Sequence, residues 1–304
     1  MNGILPLWKE RGMTSHDCVF KLRKILKMKK IGHTGTLDPE VDGVLPICLG
    51  SATKAVEFMT DMNKAYEGEI TVGFSTTTED AHGEIVEIKK VEAPLSEVVI
   101  DEMMTSFEGE ITQIPPMYSA VKVNGRKLYE YARSGETVER PTRKAIIYSF
   151  QRISEVHYNE ENHTVSWRFR VWCGKGTYVR TLAVDLGSKL GFPAHMSQLT
   201  RIKSGPFEAK ECVTLDEIRQ LMEEGQVDTI LRPIEMIFTD YPKVDLTEDL
   251  WTSVKNGAVL ETTEFAEYDM EAVLAFYYEA NLVALYEKHP SKDGYLKPRK
   301  MFLT

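Results

Sequence analysis

Cysteine is scarce in this chain, and its spacing matches no metal-binding motif. The four cysteines include no Cys-x-x-Cys pair, and the seven histidines include no His-x-x-x-His pair. These patterns are typical of zinc and other transition-metal sites. We therefore expect reduced, mostly buried cysteines and no bound metal.

Long apolar runs and phosphate-binding glycine motifs are also missing. No apolar run reaches the ~18 residues that a membrane-spanning helix needs. The N-terminus is apolar but lacks the length and the basic start of a signal peptide. Neither the P-loop spacing nor Gly-x-Gly-x-x-Gly occurs. The expectation is a cytoplasmic protein that neither enters a membrane nor uses a nucleotide cofactor.

The charge of −9 over 304 residues argues at first against a nucleic-acid partner. The charge is unevenly distributed, however. Residues 1–60 carry +3, while residues 117–150 and 173–210 carry +4 each; residues 61–116 carry −10 and residues 211–280 carry −13. An RNA-facing surface on an acidic body is compatible with this pattern, as are ordinary solvated faces.

The most informative stretch is Gly32-His33-Thr34-Gly35-Thr36-Leu37-Asp38-Pro39. Two glycines three apart permit positive φ angles, and Pro39 pushes Asp38 towards an extended conformation. A carboxylate held on such a turn can serve as a nucleophile or a general base. On the turn pattern alone, an ordinary surface loop without a catalytic role explains the stretch equally well.

The flanking segments predict the elements around this turn. Residues 15–30 have the periodicity of an amphipathic helix with six cations on its other face. Strand patterns follow from Lys64 to Phe74 and from Val165 to Cys173, and a helix opens after Thr177. Arg180 then lies near a helix N-terminus, where the helix dipole disfavours a cation, so we expect a compensating carboxylate.

Residues 113–143 form a basic, tyrosine-bearing excursion. Asn124-Gly125 between apolar stretches predicts a hairpin, and a short helix stopped by Gly135 follows. Cations for phosphates and tyrosines for stacking suit single-stranded RNA. A plain surface hairpin and helix is the alternative.

Four strings, taken together, resemble the TruB family of bacterial tRNA pseudouridine synthases. They are Gly32–Pro39 with Gly43-Val44-Leu45-Pro46, the start of the strand at Tyr66, Gly174–Leu182, and Ala194–Phe207. The resemblance covers residues 1 to about 235 in order. Glu40, Val41 and Asp42 depart from the apolar and small residues that the family more often has there.

The resemblance implies a role for each matching residue. Asp38 is the catalytic residue, and Arg180 is the arginine that pairs with it. Tyr66 stacks on the target base and is proposed to take a proton from it. His33, Tyr178 and Leu199 line the substrate pocket.

The resemblance also implies the fold and the activity. It predicts an α/β (α+β) catalytic domain at residues 1–238, with a mixed, largely antiparallel sheet and a thumb segment at about 113–143. A small PUA-like RNA-binding β-barrel at residues 239–304 completes the chain. The implied reaction is isomerisation of the T-loop uridine at position 55 of tRNA, by a monomer without cofactor, metal or protein partner.

Two other functions stay open on the residues alone. A non-catalytic tRNA-binding protein would use the same basic segments without chemistry at Asp38. A nucleoside or glycoside hydrolase would need a second carboxylate paired with Asp38, and no matching string supplies one.

Overall fold

The computed structural model describes residues 1–303 and divides into two compact units. The first unit comprises residues 1–39, 44–60 and 205–303, and the second comprises residues 40–43 and 61–204. The first unit is therefore built from both ends of the chain. No helix within residues 1–303 is long and apolar enough to cross a membrane.

The chain forms strands, singly or in short runs, that are separated by short helices. In chain order they are β1 Gly3–Lys9, α1 Ser15–Ile25, β2 Ile31–His33, β3 Asp42–Leu49, α2 Val56–Asp61, β4 Lys64–Val72, β5 Phe74–Thr76, β6 Ile85–Ile88, α3 Glu97–Thr105, β7 Gly109–Gln113, β8 Lys122–Val123, β9 Arg126–Lys127, α4 Leu128–Ser134, β10 Arg143–Arg152, β11 His157–Asn159, β12 Thr164–Cys173, α5 Val179–Leu190, β13 Ala194–Ser204, β14 Phe207–Glu208, α6 Leu215–Glu223, β15 Lys243–Asp245, α7 Glu248–Val254, β16 Leu260–Glu261, β17 Leu274–Tyr278, β18 Asn281–Lys288 and β19 Tyr295–Met301.

The first unit joins the N-terminal strands to the C-terminal third of the chain. β1 lies beside β3, and β2 pairs antiparallel with β3. Ile4 exchanges backbone hydrogen bonds with Arg232, and Trp8 donates to the carbonyl of Val213. The C-terminal strands form a separate, curled five-stranded sheet in the order β15-β17-β18-β19-β16, with a buried core of its own.

The second unit is a twisted sheet in the order β13-β4-β12-β10-β7, and all of these neighbours are antiparallel. On β12, Val165, Trp167, Phe169 and Val171 are buried, while the residues between them are more exposed. Strict alternation buries one face of a sheet and leaves the other to solvent. α5 packs against β13 and α3 against β10.

Most sequence-based expectations about the elements are confirmed. The mixed, largely antiparallel sheet and the C-terminal β fold are present, as are the strands at Lys64 and Val165 and the hairpin at Asn124-Gly125. The helix of the thumb ends at Gly135 in the left-handed conformation, with φ of 69°.

Two expectations are wrong in detail. The first helix ends at Ile25 rather than residue 30, because Lys27 takes a left-handed φ of 51° and the chain enters β2 at Ile31. The segment before the C-terminal strands contains a helix, α7, that we did not predict; the Thr247 side chain caps it by accepting from the backbone N–H of Leu250.

Candidate active site

The loop that carries Asp38 is fixed on its N-terminal side by a buried serine. Ser15 lies at the start of α1, and its Oγ accepts a hydrogen bond from the backbone N–H of Leu37 at 2.9 Å. The same hydroxyl lies 3.3 Å from the Leu37 carbonyl oxygen, to which it donates. Thr14, rather than Ser15, caps the helix through a capping box with Asp17. Ser15 therefore holds the residue before Asp38 instead of the helix end.

A buried lysine fixes the other side of Asp38. Lys9 ends β1 and is fully buried, and its Nζ donates to the carbonyl oxygen of Pro39 at 3.1 Å. The backbone N–H of Gly12 donates to the same oxygen at 3.0 Å. Asp38, which is half-buried, thus lies between two residues whose backbones are each held by side-chain hydrogen bonds. Such clamping limits the positions that the Asp38 carboxylate can take.

The first half of the loop is anchored to β3. Thr34 is fully buried, and both its backbone N–H and its Oγ1 donate to the Pro46 carbonyl oxygen, at 3.2 and 3.1 Å. His33 is half-buried at the end of β2, opposite Ile47. Gly35 has a φ of 125°, as we expected. Gly32 does not use the positive φ that glycine permits; a Cβ there would instead lie 3.3 Å from the Val56 side chain.

We expect Ser15→Ala to weaken activity by misplacing Asp38. The change leaves the buried N–H of Leu37 without its acceptor, which costs about 1–3 kcal/mol. A displaced Asp38 should lower kcat for the proposed reaction by about tenfold, with a smaller effect on KM. Thr105→Ala, which removes an exposed hydroxyl on α3, is the control and should leave kcat unchanged. Equal kcat values for the two variants would contradict this role of Ser15.

The second unit places Tyr66 and Leu199 on neighbouring strands. Tyr66 lies on β4 opposite Arg201 of β13, and Leu199 lies opposite Gly68, two residues further along. Leu199 is buried and Tyr66 is half-buried. Gly68 has no room for a side chain, since a Cβ there would lie 2.4 Å from the Gln198 carbonyl oxygen. β4 and β13 therefore approach closely between these two predicted site residues.

Arg180 is in the first turn of α5, as predicted, and is buried. Its two terminal nitrogens donate to the carbonyl oxygens of Thr78 and Tyr118, each at 3.0 Å. The fork geometry of a guanidinium allows two acceptors to be met at once. Arg180 thereby joins the polar turn after β5 to the thumb segment. Its expected pairing with Asp38 stays a prediction.

Tyr178 is fixed by a residue that sequence reasoning did not single out. Gln113, the last residue of β7, is buried, and its side-chain amide donates to the Tyr178 carbonyl oxygen at 3.1 Å. The backbone N–H of Tyr178 donates back to the Gln113 Oε1 at 2.9 Å. Glutamine before a Pro-Pro pair has no distinctive signal in the sequence. The antiparallel order of β7, β10 and β12 brings the end of β7 and the chain after β12 into the same sheet unit.

The six predicted residues thus fall into two groups. Asp38 and His33 belong to the first unit, while Tyr66, Tyr178, Arg180 and Leu199 belong to the second. The residues that directly follow the Asp38-Pro39 pair are part of the second unit. Thr200 donates to Asp42 there at 2.6 Å, and Gly43, with φ of 124°, has no space for a Cβ beside the backbone of Arg201.

Two buried cations lie near the start of β4. Lys64 is 7% exposed, Arg201 is fully buried, and the Lys64 Nζ donates to the Met62 carbonyl oxygen at 2.6 Å. Burial, with the nearby charge of Arg201, lowers the pKa of Lys64 to about 8. Lys64 therefore loses its charge at a lower pH than an exposed lysine does.

The lowered pKa of Lys64 predicts a pH dependence of stability. An unfolded lysine has a pKa of about 10.4, so between pH 8 and 10.4 the unfolded chain binds more protons than the folded chain. The free energy of unfolding should therefore gain a contribution as pH rises through this window, up to about 3 kcal/mol. Urea unfolding of the wild type and of Lys64→Met at pH 7.5 and 10 measures it. The wild type should gain stability relative to Lys64→Met between pH 7.5 and pH 10, and parallel pH profiles would contradict the assignment.

Comparison with protein families gives two matches that together run from residue 23 to residue 239. The model of the TruB family pseudouridylate synthase N-terminal domain matches residues 23–179. The model of the tRNA pseudouridylate synthase B C-terminal domain matches residues 180–239. The first match contains Asp38, Tyr66 and Tyr178, and the second contains Arg180 and Leu199.

Curated relatives match over nearly the whole chain. A tRNA pseudouridine synthase B from Bacillus pumilus is 58% identical over 305 residues, with 99% of this chain and 97% of the relative covered. The enzyme of the same name from Halalkalibacterium halodurans is 54% identical over 301 residues, with the same coverage of both chains.

Solved structures with a similar fold cover nearly the whole chain. A crystal structure of a Cbf5–Nop10–Gar1 complex contains a chain that is 30% identical, with a TM-score of 0.72, covering 99% of this chain and 85% of that one. A structure of an H/ACA RNP bound to a substrate RNA containing 2′-deoxyuridine gives a TM-score of 0.72 at 26% identity. The family matches and the curated relatives are those of a pseudouridine synthase, an isomerase. Within that class, the chain belongs to the TruB family.

Proposed function

We propose that this enzyme converts the uridine at position 55, in the T loop of tRNA, to pseudouridine. The observation that carries the proposal is the clamped loop that presents Asp38 inside the segment matched by the TruB family model. The name shared by relatives that are 58% and 54% identical supports tRNA as the substrate. A non-catalytic tRNA-binding protein would not need a carboxylate held from both sides.

The proposed reaction begins with extrusion of the target nucleotide. A base inside a folded RNA loop is not accessible to a side chain, so the enzyme flips the uridine into its pocket. Asp38 attacks the nucleotide, the N1–C1′ bond breaks, and the freed uracil turns over. A C5–C1′ bond then forms, the bond to Asp38 breaks and restores the free carboxylate, C5 loses a proton, and N1 gains one. The product is an isomer of the substrate, so the reaction needs no redox cofactor.

The other proposed site residues orient Asp38 or bind the target base. In the proposal, Arg180 keeps Asp38 ionised and oriented, since a guanidinium favours the charged form of a carboxylate. Tyr66 stacks on the flipped base and accepts the proton from C5. His33, Tyr178 and Leu199 shape the pocket around the uracil.

The thumb segment and the two domains also have proposed roles. We propose that residues 113–143 act as a thumb that closes on the T arm, because this segment combines six basic residues with three tyrosines. Residues 1–238 are the proposed catalytic domain, and residues 239–304 are the proposed PUA-like RNA-binding domain. The enzyme works as a cytoplasmic monomer without a protein partner.

Tritium release tests this function directly. Unmodified tRNA transcript carrying tritium at C5 of its uridines is incubated with the enzyme in buffer containing EDTA. We expect tritium to appear in water in proportion to enzyme turnover, with one T-loop uridine converted. Tight tRNA binding without any release would favour the non-catalytic alternative. Release of free uracil from the RNA would instead favour a hydrolase.

A further inference from the structure

The solvent side of α1 carries an exposed aromatic ring beside a cation. Phe20 is 54% exposed, and the Lys24 Nζ lies 4.4 Å from the centre of its ring. The opposite side of the helix is buried through Cys18, Val19 and Leu22. Phe20 is therefore not part of the core, and its exposed ring is available to a binding partner.

Six cations surround this ring or follow it along the chain, and all six are exposed: Lys21, Arg23, Lys24, Lys27, Lys29 and Lys30. Within residues 1–303, none of the six has a carboxylate oxygen within 4.0 Å. Exposed cations elsewhere often have such a partner, as Lys144 has in Glu110 at 2.7 Å and Lys175 has in Asp61 at 2.6 Å. The acid on α1, Asp17, is engaged in the capping box.

A row of six cations without a carboxylate oxygen within 4.0 Å, counted over residues 1–303, stands out in a chain with a net charge of −9. Like charges placed together destabilise a folded protein unless an anion binds there. Cations around an exposed aromatic ring form the usual surface for single-stranded nucleic acid, since phosphates meet the cations and a base stacks on the ring. We define Phe20 and the six cations as the α1 surface.

An anionic membrane is the other polyanion to consider, and the geometry disfavours it. A membrane-binding helix inserts a broad apolar face into the lipid. The apolar side of α1 is instead occupied by the core of its own unit, which leaves a single aromatic ring for insertion. The charge complementarity of the surface therefore fits RNA.

We infer that the α1 surface is a second contact for the substrate RNA, separate from the pocket that receives the target uridine. Phosphates bind the cations, and an unpaired base stacks on Phe20. α1 leads through Lys27–Lys30 into β2 and then into the Asp38 loop. RNA bound at the α1 surface is therefore bound by the same segment of the chain that carries Asp38. The inference rests on the proposed function, because it takes tRNA as the substrate.

Equilibrium binding of full-length tRNA to five purified proteins tests the inference. The variants are Phe20→Ala, Phe20→Leu, the double change Lys24→Gln with Lys27→Gln, and Lys90→Gln as the control. Lys90 is an exposed lysine in the acidic segment 61–116. We expect Phe20→Ala to weaken binding by about tenfold, and Phe20→Leu nearly as much, because leucine keeps apolar area but offers no ring for stacking.

The lysine variants give an independent readout. The plot of log affinity against log salt should lose about one unit of slope for each phosphate contact removed, hence about two units for the double variant. Lys90→Gln should match the wild type in both affinity and slope. Unchanged affinity for Phe20→Ala together with an unchanged slope for the double variant would overturn the inference. Binding of the wild type to vesicles rich in anionic lipid, lost in the double variant while tRNA affinity is kept, would overturn it too.

Failure of this inference and failure of the proposed function are distinguishable. Binding is measured without turnover, and tritium release by the wild type reports the reaction alone. A wild type that binds tRNA through the α1 surface but releases no tritium would overturn the function and leave the contact standing. If the wild type released tritium while the α1 variants bound tRNA as tightly as the wild type, the proposed function would stand and the inference about the α1 surface would be overturned.

Discussion

Asp38→Asn is expected to reduce the rate of pseudouridine formation by about 10⁴-fold or more, because the amide cannot act as a nucleophile. Asparagine has nearly the same size, and the hydrogen bonds of Leu37 and Pro39 do not involve the Asp38 side chain. The affinity for tRNA should therefore stay within about twofold of the wild type, a change of less than 0.5 kcal/mol. Single-turnover tritium release gives the rate, and filter binding gives the affinity.

Glu40→Gln is the matched control for this change. Glu40 is a carboxylate two residues further along the chain, and its side chain is exposed near His82. Its loss should alter the rate by less than about threefold, since surface charges contribute little to a pre-formed site. If Asp38→Asn retained turnover, Asp38 would not be the reacting group. If Glu40→Gln also abolished turnover, local charge rather than a single nucleophile would explain both results.

Arg180→Ala is expected to have the second-largest effect, a loss of about 100- to 1,000-fold in kcat/KM. The change removes a buried guanidinium and leaves the carbonyl oxygens of Thr78 and Tyr118 without a donor, and each lost bond to a charged group costs about 1.5–3 kcal/mol. It also removes the proposed partner of Asp38. Arg180→Lys keeps the charge but not the two-pronged geometry, so an intermediate loss of about 10- to 100-fold is expected.

The pH profile separates the positioning role of Arg180 from its electrostatic role. On the proposed pairing of Arg180 with Asp38, loss of the cation should raise the pKa of the Asp38 carboxylate, so the acidic limb of the rate profile of Arg180→Ala should move to higher pH. Arg168→Ala, which removes an exposed arginine paired with Glu67, should leave rate and profile unchanged. An unshifted acidic limb in Arg180→Ala would show that the arginine only supports the thumb and the neighbouring turn.

Strands with strict alternation could be predicted from the sequence because one face of the sheet is buried. β12 is the clearest case, with apolar and polar residues alternating from Val165 to Cys173. Helix ends were harder to predict. Lysines recur at positions 27, 29 and 30, past the end of the helix, and nothing in that composition marks Lys27 as left-handed. α7 was missed, although Leu246, Leu250 and Val254 recur every four residues and acidic residues follow its Thr247 cap.

The order of the strands could not be derived from the sequence pattern. β13 follows α5 in the chain, yet it lies beside β4, more than a hundred residues earlier. Alternating apolar and polar residues indicate which face of a strand is buried, but they do not indicate which strand lies next to it. The sheet topology therefore came from the family resemblance and not from the physics of single segments.

The candidate site was predictable to the extent that its residues lie in distinctive strings. Asp38 lies between two glycines and a proline, and Arg180 is an unusual cation at a helix start. The residues that hold them carry no such signal. Ser15 looks like a helix cap, Lys9 looks like a surface lysine, and Gln113 looks like a loop amide. Each acts through a contact 22 to 65 residues away in the chain, which only the folded structure reveals.

The composition of the first unit has a consequence for synthesis of the chain on the ribosome. β1 carries the lysine that clamps Pro39, and the backbone of this strand bonds to Arg232 and Val213. Those partners emerge more than 200 residues later, which at 5–20 residues per second is a delay of roughly 10–45 s. The second unit, which is nearly continuous in sequence, can fold during that interval. We therefore expect the Lys9 contact that holds Pro39 to form late, and a chain terminated before residue 232 to contain a folded sheet without a completed Asp38 loop.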